Sequence, residues 1–268
     1  MKRIDHLRVN PGDTVELRAI DPDFHAGLEK EQARAETAQD LQALEHLQRL
    51  LYAEDRRALL VVLQGIDTAG KDGVIRKVMT GFSPQGCVVT PFKKPAGEEV
   101  EHDFLWRVHH VCPRRGEIAV FNRSHYEDVL VVRVHELVKG KRLERRYETI
   151  NHFERHLVEE GTHVVKFFLW ISRDEQKRRL KERLADPEKN WKFSEADLKE
   201  RGLWKDYIDA FNIALTRCST DHAPWWIVPA NHKWFRDWMV AKVLRHTLEG
   251  FDMSWPKAQV DLSGVRVD

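Results

Sequence analysis

Ala58-Leu-Leu-Val-Val-Leu-Gln-Gly65-Ile-Asp67-Thr-Ala-Gly70-Lys71-Asp72-Gly73 is the stretch around which the chain is organised. Ala58 to Leu63 is an unbroken apolar run with β-branched residues at its centre, and its length and flanks suit a buried strand. Gly65 ends it. Gly70 and Lys71 follow five and six residues later, and Val74-Ile-Arg-Lys-Val-Met79 opens an amphipathic helix. Strand, glycine loop, lysine, helix is the context that makes two glycines and a lysine a phosphate cradle. Glycines let the backbone approach the phosphates with its N–H groups turned inward. The helix N-terminus adds partial positive charge, and Lys71 a compact cation on a flexible stem.

A usual loop of this kind follows its lysine with Ser or Thr, whose hydroxyl holds Mg²⁺. Here Asp72 stands there, and a second acid, Asp67, lies inside the loop. Carboxylate oxygens are hard ligands for Mg²⁺, and an acid in a phosphate loop needs a metal or a proton relay to explain it. The plain alternative is a capping loop, with Gly ending a strand, Asp capping a helix and Lys aiding solubility.

Composition narrows the classes. The 268 residues fit one α/β domain over 1–268, and 42% apolar content supplies a sizeable core. Net charge is +1, so no global basic field draws the chain to nucleic acid, and any anion site must come from local clustering. Cys87, Cys112 and Cys218 form neither a metal-ligand spacing nor a disulfide framework, which suits a reducing cytosol. The N-terminus lacks the apolar core of a signal peptide, and no stretch approaches transmembrane length. A cytoplasmic enzyme without nucleic-acid or membrane partners is expected.

Residues 1–26 read as an extended surface arm and 27–54 as a long amphipathic helix, together an N-terminal arm-and-helix segment over 1–55. Gly86 to Thr90 reads as a second strand. Lys93 and Lys94 follow at its carboxyl end, where they are either a phosphate contact or a solvated loop. A helix is expected over 98–111. Its His102, His109 and His110 are assigned no chemistry.

Ile118 to Phe121 is the third strand and leads directly into Asn122-Arg123-Ser124-His125-Tyr126-Glu127-Asp128. Arg123 can clamp phosphate oxygens through its planar fork. Glu127 and Asp128 can hold metal or the acceptor. Ser124 and Glu127 also satisfy the capping-box spacing, and both readings can hold together. Helices are expected over 129–138 and 141–160, a fourth strand over 164–171, a helix from Arg173 to Leu184, another over 197–218, a fifth strand over 224–229, and a closing helix to about Leu248. Residues 254–268 read as extended and loosely held. Around 173–205, Arg178, Arg179, Arg183, Lys189, Lys192, Lys199, Arg201 and Lys205 crowd together. They are either a helical lid that supplies arginines to a transferring phosphoryl group or a salt-bridged exposed helix.

With these stretches in hand, the sequence resembles polyphosphate kinase family 2. Gly65-Ile-Asp67-Thr-Ala-Gly70-Lys71-Asp72-Gly73 looks like the family's phosphate loop, which also carries an acid after the lysine. Phe121-Asn122-Arg123-Ser124-His125-Tyr126-Glu127-Asp128-Val129-Leu130 looks like its second signature. Trp191-Lys192-Phe193 with Asp197-Leu198 is similar to its lid, and Ala223-Pro-Trp-Trp and Pro229-Ala-Asn231 match its last strand. The likeness spans roughly residues 10–255.

The resemblance implies a P-loop kinase fold related to thymidylate kinases, here a five-stranded parallel sheet sandwiched by helices with a helical lid. It implies inorganic polyphosphate as donor, Mg²⁺ or Mn²⁺ as cofactor, adenine nucleotides (with guanine nucleotides as further candidates) as acceptors, and a homotetramer or homodimer. Asp67 and Lys71 become the catalytic pair of the loop, with Asp67 on the metal. Gly65, Ala69, Gly70, Asp72 and Gly73 surround the phosphates with Lys71. Asn122 and Arg123 contact acceptor and transferred phosphates beside Glu127 and Asp128, and Arg178, Arg183 and Asp197 close over them. His125 is similar to members that phosphorylate AMP, where diphosphate-restricted members more often carry Trp. An ATP-dependent monophosphate kinase is the rival enzyme reading, disfavoured by the missing Ser/Thr. A non-catalytic polyphosphate- or nucleotide-binding protein is the rival of another class.

Overall fold

A computed structural model describes residues 1–259 and 265–267. Of the loose stretch expected over 254–268, residues 260–264 and 268 lie outside the described residues, as does the side chain of Lys192. The elements are β1 (Arg8–Val9), α1 (Lys30–Glu54), β2 (Ala58–Gly65), α2 (Lys71–Val78), β3 (Cys87–Pro91), α3 (Trp106–His109), β4 (Ile118–Asn122), α4 (Val131–Val134), α5 (Gly140–Glu159), β5 (Thr162–Trp170), α6 (Arg173–Ala185), α7 (Glu195–Gly202), α8 (Trp204–Arg217), β6 (Trp225–Pro229) and α9 (Lys233–Glu249), with short 3₁₀ turns between them.

One sheet of order β1-β6-β5-β2-β4-β3 carries the fold. β3, β4, β2, β5 and β6 pair in parallel, as expected. The sixth strand is an addition to the five expected. Arg8 and Val9, in the N-terminal arm, pair antiparallel with Trp226 and Trp225 of β6. Two residues are too short for an alternating pattern to show in sequence. The arm is no loose cover, since Ile4, Leu7, Val9 and Leu17 are all buried.

The apolar run of β2 is continuous because both faces of the sheet are covered. Leu59, Val61 and Leu63 join one core with α1, α2 and α9, around Leu44, Val74, Phe235 and Met239. Leu60 and Val62 point the other way, into a core with α5 and α8 around Ile150, Phe168 and Phe211. The alternation is the strand's twofold side-chain period.

Three expected helices differ. The one over 98–111 is a 3₁₀ turn at Gly97–Val100 and the single turn of α3. Asp103 Oδ1 accepts the Leu105 N–H at 2.9 Å and restarts the chain between them. The one over 129–138 shrinks to α4, because valines crowd a helix turn and Glu136 takes φ +53°. The one over 197–218 breaks at Gly202 into α7 and α8.

Connections after β2 run toward β3, and the connection after β4 returns across β2 to β5. The crevice over the carboxyl ends of β2 and β4 is therefore the ligand-binding place of an open parallel sheet.

Candidate active site

Register brings the two polar segments together. Leu63 of β2 lies opposite Asn122 of β4, so the loop after β2 and the turn after β4 start at the same level. Arg123 is fastened there by its own backbone N–H, which donates to the Leu63 carbonyl at 3.0 Å. Its φ is +62°, and Thr68 inside the loop has φ +67°. Both are costly for residues with a Cβ and mark a site where geometry outranks local comfort.

Lys71 starts α2 and is buried. Its Nζ donates to the Gly65 carbonyl at 2.7 Å and lies 3.5 Å from that of Ile66. The ammonium therefore sits inside the curl of the loop. Burial and the Arg123 charge push its pKa down to about 8, against the opposing pull of Asp67. Asp67 forms an ion pair with Arg123 Nη2, while Arg123 Nη1 donates to Glu127 Oε2 at 3.1 Å. Burial alone would raise the Asp67 carboxyl, but Arg123 and Lys71 outweigh it and hold it below the usual carboxylate range. Burial likewise opposes the Arg123 charge, and Glu127 and Asp67 restore it. Asn122 Nδ2 donates to Asp72 Oδ1 at 2.9 Å, tying the β4 turn to the first turn of α2.

The glycines of the loop are explained by what presses on it. A Cβ on Gly70, whose φ is +110°, would collide with the Arg236 guanidinium of α9, and one on Gly73 would come within 2.9 Å of the same group. A second buried guanidinium, Arg179 of α6, donates to the carbonyls of Thr68 at 3.0 Å and Ala69 at 2.9 Å and to that of Ala230. Gln176 Nε2 donates to the Asp67 carbonyl at 3.2 Å. The loop is thus held from behind by two arginines that also raise the local positive potential.

Of the lid arginines, the two that the resemblance sets over the phosphates take different places. Arg178 is half-exposed and pairs with Glu175 and Glu182 on the outer face of α6. Arg183 Nη1 donates to Asp197 Oδ2 at 3.0 Å and joins α6 to α7. The guanidinium that reaches the loop is that of Arg179, one residue from Arg178. The signal was present: Gln176, Arg179 and Leu180 form the buried stripe of α6, and Arg178 lies off it. Arg236, Glu200 and Tyr207 also went unread. Tyr207 Oη donates to Glu200 Oε2 at 2.6 Å, and both line the small cavity between loop and lid beside Asp67, Arg123 and Glu127.

Asp128 faces away from that cavity. It pairs with Arg146 at 3.0 Å and lies 3.7 Å from Arg107, and burial raises its pKa against both. His125 is wholly buried, with Nε2 3.2 Å from Glu154. It supports the turn from beneath and does not line the cavity. Ser124 caps the 3₁₀ turn by accepting the Tyr126 N–H at 3.1 Å, which bears out half of the capping-box reading.

The family model of Polyphosphate kinase 2 matches residues 27–256. The chain belongs to that family. It is 49% identical over 94% of its length to the AMP/ADP-polyphosphate phosphotransferase of Meiothermus ruber, covering 95% of that protein. It is 43% identical to the ADP-polyphosphate phosphotransferase of Rhodopseudomonas palustris, over 94% of this chain and 91% of the other. The crystal structure of polyphosphate kinase 2 from Arthrobacter aurescens superposes with a TM-score of 0.94 at 44% identity, over 97% of this chain and 94% of that one. The fold is accordingly the P-loop kinase fold of polyphosphate kinase 2. Among the described residues no helix is long and apolar enough to cross a membrane.

Proposed function

We propose that this polyphosphate kinase 2 transfers the terminal phosphoryl group of inorganic polyphosphate to AMP or ADP, forming ADP and ATP. The observation that carries the reading is the meeting of Lys71, Asp67 and Arg123 at the carboxyl ends of β2 and β4. Phosphoryl transfer asks little covalent chemistry of a protein. It asks for positioning and for cations where charge gathers on the transferred group. Lys71 and Arg123 supply those cations, one from the start of α2 and one from the turn after β4. Each is occupied by protein oxygens that a phosphoryl group, with more charge and the same acceptor chemistry, can replace. Direct in-line transfer to the acceptor phosphate follows, with no phosphoenzyme.

The donor set fits Mg²⁺ or Mn²⁺. Mg²⁺ binds through one or two carboxylates plus substrate phosphates and keeps several waters, and Asp67 offers such a carboxylate with its pKa held low. The absence of a three-residue metal cage among the described residues is compatible with that mode. When bound, the ion would neutralise phosphate charge and align the oxygens. Asn122 and Glu127 orient the acceptor, and Arg183 and Asp197 hold the lid as one piece. The cavity between loop and lid measures about 30 Å³, room for a water or two. Cytoplasmic residence, acceptance of guanine nucleotides and assembly as a homodimer or homotetramer belong to the same reading.

The test is a time course of AMP with Mg²⁺ and long-chain polyphosphate, set beside one in which ATP is the sole donor. Polyphosphate-dependent ADP, then ATP, is expected. Turnover with ATP alone would overturn the donor assignment, and binding without turnover would make the chain a binding protein.

A further inference from the structure

A second cavity, of about 700 Å³, lies apart from the one at the phosphate loop. It lies beyond the far side of the Ser124–Asp128 turn, between the segment from Pro95 to Arg107 and the first turns of α5. Its volume falls within the range of about 300–1,000 Å³ usual for ligand sites. Arg107, Lys141, Arg142, Arg145 and Arg146 line it with three acids, Glu99, Asp103 and Asp128.

The acids are engaged. Glu99 and Asp128 pair with Arg107, Asp128 also with Arg146, and Asp103 accepts a backbone N–H. The cations are not all engaged. Among the described residues Lys141, Arg142 and Arg145 make no ion pair with a carboxylate.

Two features oppose stability. Four cations crowd the first two turns of α5, where the helix dipole favours acids. Arg142 and Arg146 stand four residues apart on that helix, and burial, with the Arg142 charge added to it, lowers the Arg146 pKa against the pull of Asp128. Arg107 is more than nine-tenths buried and lines the cavity.

The chain also links the end of β4 to the cavity wall. The Phe92 N–H donates to the Asn122 carbonyl at 2.9 Å, and the exposed Lys93 and Lys94 follow. Arg107 Nη1 holds the Lys93 carbonyl at 2.8 Å. Pro95 is already in the cavity wall. Phe92 tied to the end of β4, the exposed Lys93 and Lys94, and Pro95 of the cavity wall thus form one strip of chain that ends at the cavity.

We infer that this strip and cavity form an accessory site for distal phosphates of a long polyphosphate chain. The inference rests on the donor reading above and goes beyond it in assigning Arg107, Arg142 and Arg145 a ligand. The interior of such a chain offers only oxygen acceptors and about one negative charge per repeat, which suits unpaired guanidinium and ammonium groups. A chain gripped at two places dissociates more slowly than one gripped at its end, by the arithmetic of linked sites.

The test is the double variant Arg142→Ala/Arg145→Ala, whose exposed positions leave the core untouched. Its affinity for long-chain polyphosphate, measured by equilibrium binding without nucleotide, should fall about tenfold, as expected for two lost surface charge contacts. The steepness of that affinity with salt should fall too. In kinetics, the advantage in KM of long-chain polyphosphate over tripolyphosphate should collapse, with the KM for AMP held. Unchanged long-chain binding would overturn the proposal. A raised KM for AMP with polyphosphate binding intact would overturn it as well, and would give the cavity to the acceptor. Wild-type protein that binds polyphosphate through these arginines but transfers nothing from it would sink the donor reading instead.

Discussion

Lys71 shows what the site costs the fold. Its ammonium is buried beside another cation, so its pKa drops from 10.5 to about 8. Below pH 8 it is charged in both folded and unfolded chains, and the folded chain bears a constant penalty. Between about pH 8 and 10.5 only the unfolded chain holds the proton, so this group's contribution to stability rises with pH. The shift corresponds to about 3 kcal/mol. Lys71→Met should therefore be more stable than wild type at pH 7 in denaturant titrations, with the difference shrinking by pH 10. Its kcat should fall by about 10²–10³, the usual loss when one group that stabilises transition-state charge is removed. Wild-type kcat/KM, which reports the free enzyme, should decline above pH 8 as the ammonium is lost. A destabilised but active Lys71→Met would contradict both halves. The place of Lys71 inside the curl of the loop was legible because glycines and a lysine between a strand and a helix have one strong physical use. Arg179 was harder to find, since its neighbour Arg178 has the same chemistry and only helical phase separates them. Arg236 is harder still, for its contact with Gly70 crosses about 165 residues of chain and leaves no local pattern.

At the scale of elements, the turn that carries Arg123 and Glu127 rests on a buried ionic knot between β5 and α5. Lys166, midway along β5, donates to Glu154, to Tyr126 Oη at 2.8 Å and to the Cys218 carbonyl at 2.6 Å. Tyr126 Oη donates to Glu154 at 2.9 Å, and all three residues are fully buried. Lys166 is the only lysine, arginine or acid in β5, and its partner twelve residues upstream on a helix cannot be read from spacing. Such knots are costly to break from one side. Lys166→Met should cost about 3–5 kcal/mol in urea unfolding, and adding Glu154→Gln should recover most of it, because the penalty is the orphaned carboxylate. Burial alone would raise the Glu154 pKa, but Lys166 and His125 hold it below its ordinary 4.5. The stability it contributes is therefore present above pH 4.5 and is lost as pH falls through the lower folded value. Acid unfolding of the double variant should be shallower than wild type over that range. A single variant as stable as the double would mean that the knot is not what holds the turn. The short turns of α3 and α4 were misjudged as long helices for a related reason: an apolar periodicity reports which face is buried, while Asp103 and Glu136 decide where the helix stops.

For the whole molecule, burial on both faces made β2, β4, β5 and β6 legible as apolar runs, β3 was read from its valines, and the loop after β2 fixed the topology class. Edges are different, because an edge is defined by what fails to pair. β3 closes one side of the sheet, and there Val88 is 50% and Val89 38% exposed. Tyr52, at the end of α1, is 51% exposed and lies against Gly86 at the start of that strand. Soluble chains normally guard such an edge with lysine, proline or a bulge, and Pro91 guards only its last residue. The unguarded stretch is where the proposed homodimer or homotetramer would bury apolar surface, since an isologous contact places the same edge against itself. Val88→Lys/Val89→Lys keeps the strand's backbone pairing with β4, because these side chains are the exposed ones, while placing like charges across any twofold contact at this edge. In size-exclusion chromatography with light scattering, wild type should run above the 31.5 kDa of one chain and the variant should drop to a smaller species with its melting transition still cooperative. A variant of unchanged mass would move the interface elsewhere on the surface, and a wild type already at monomer mass would remove the need for one.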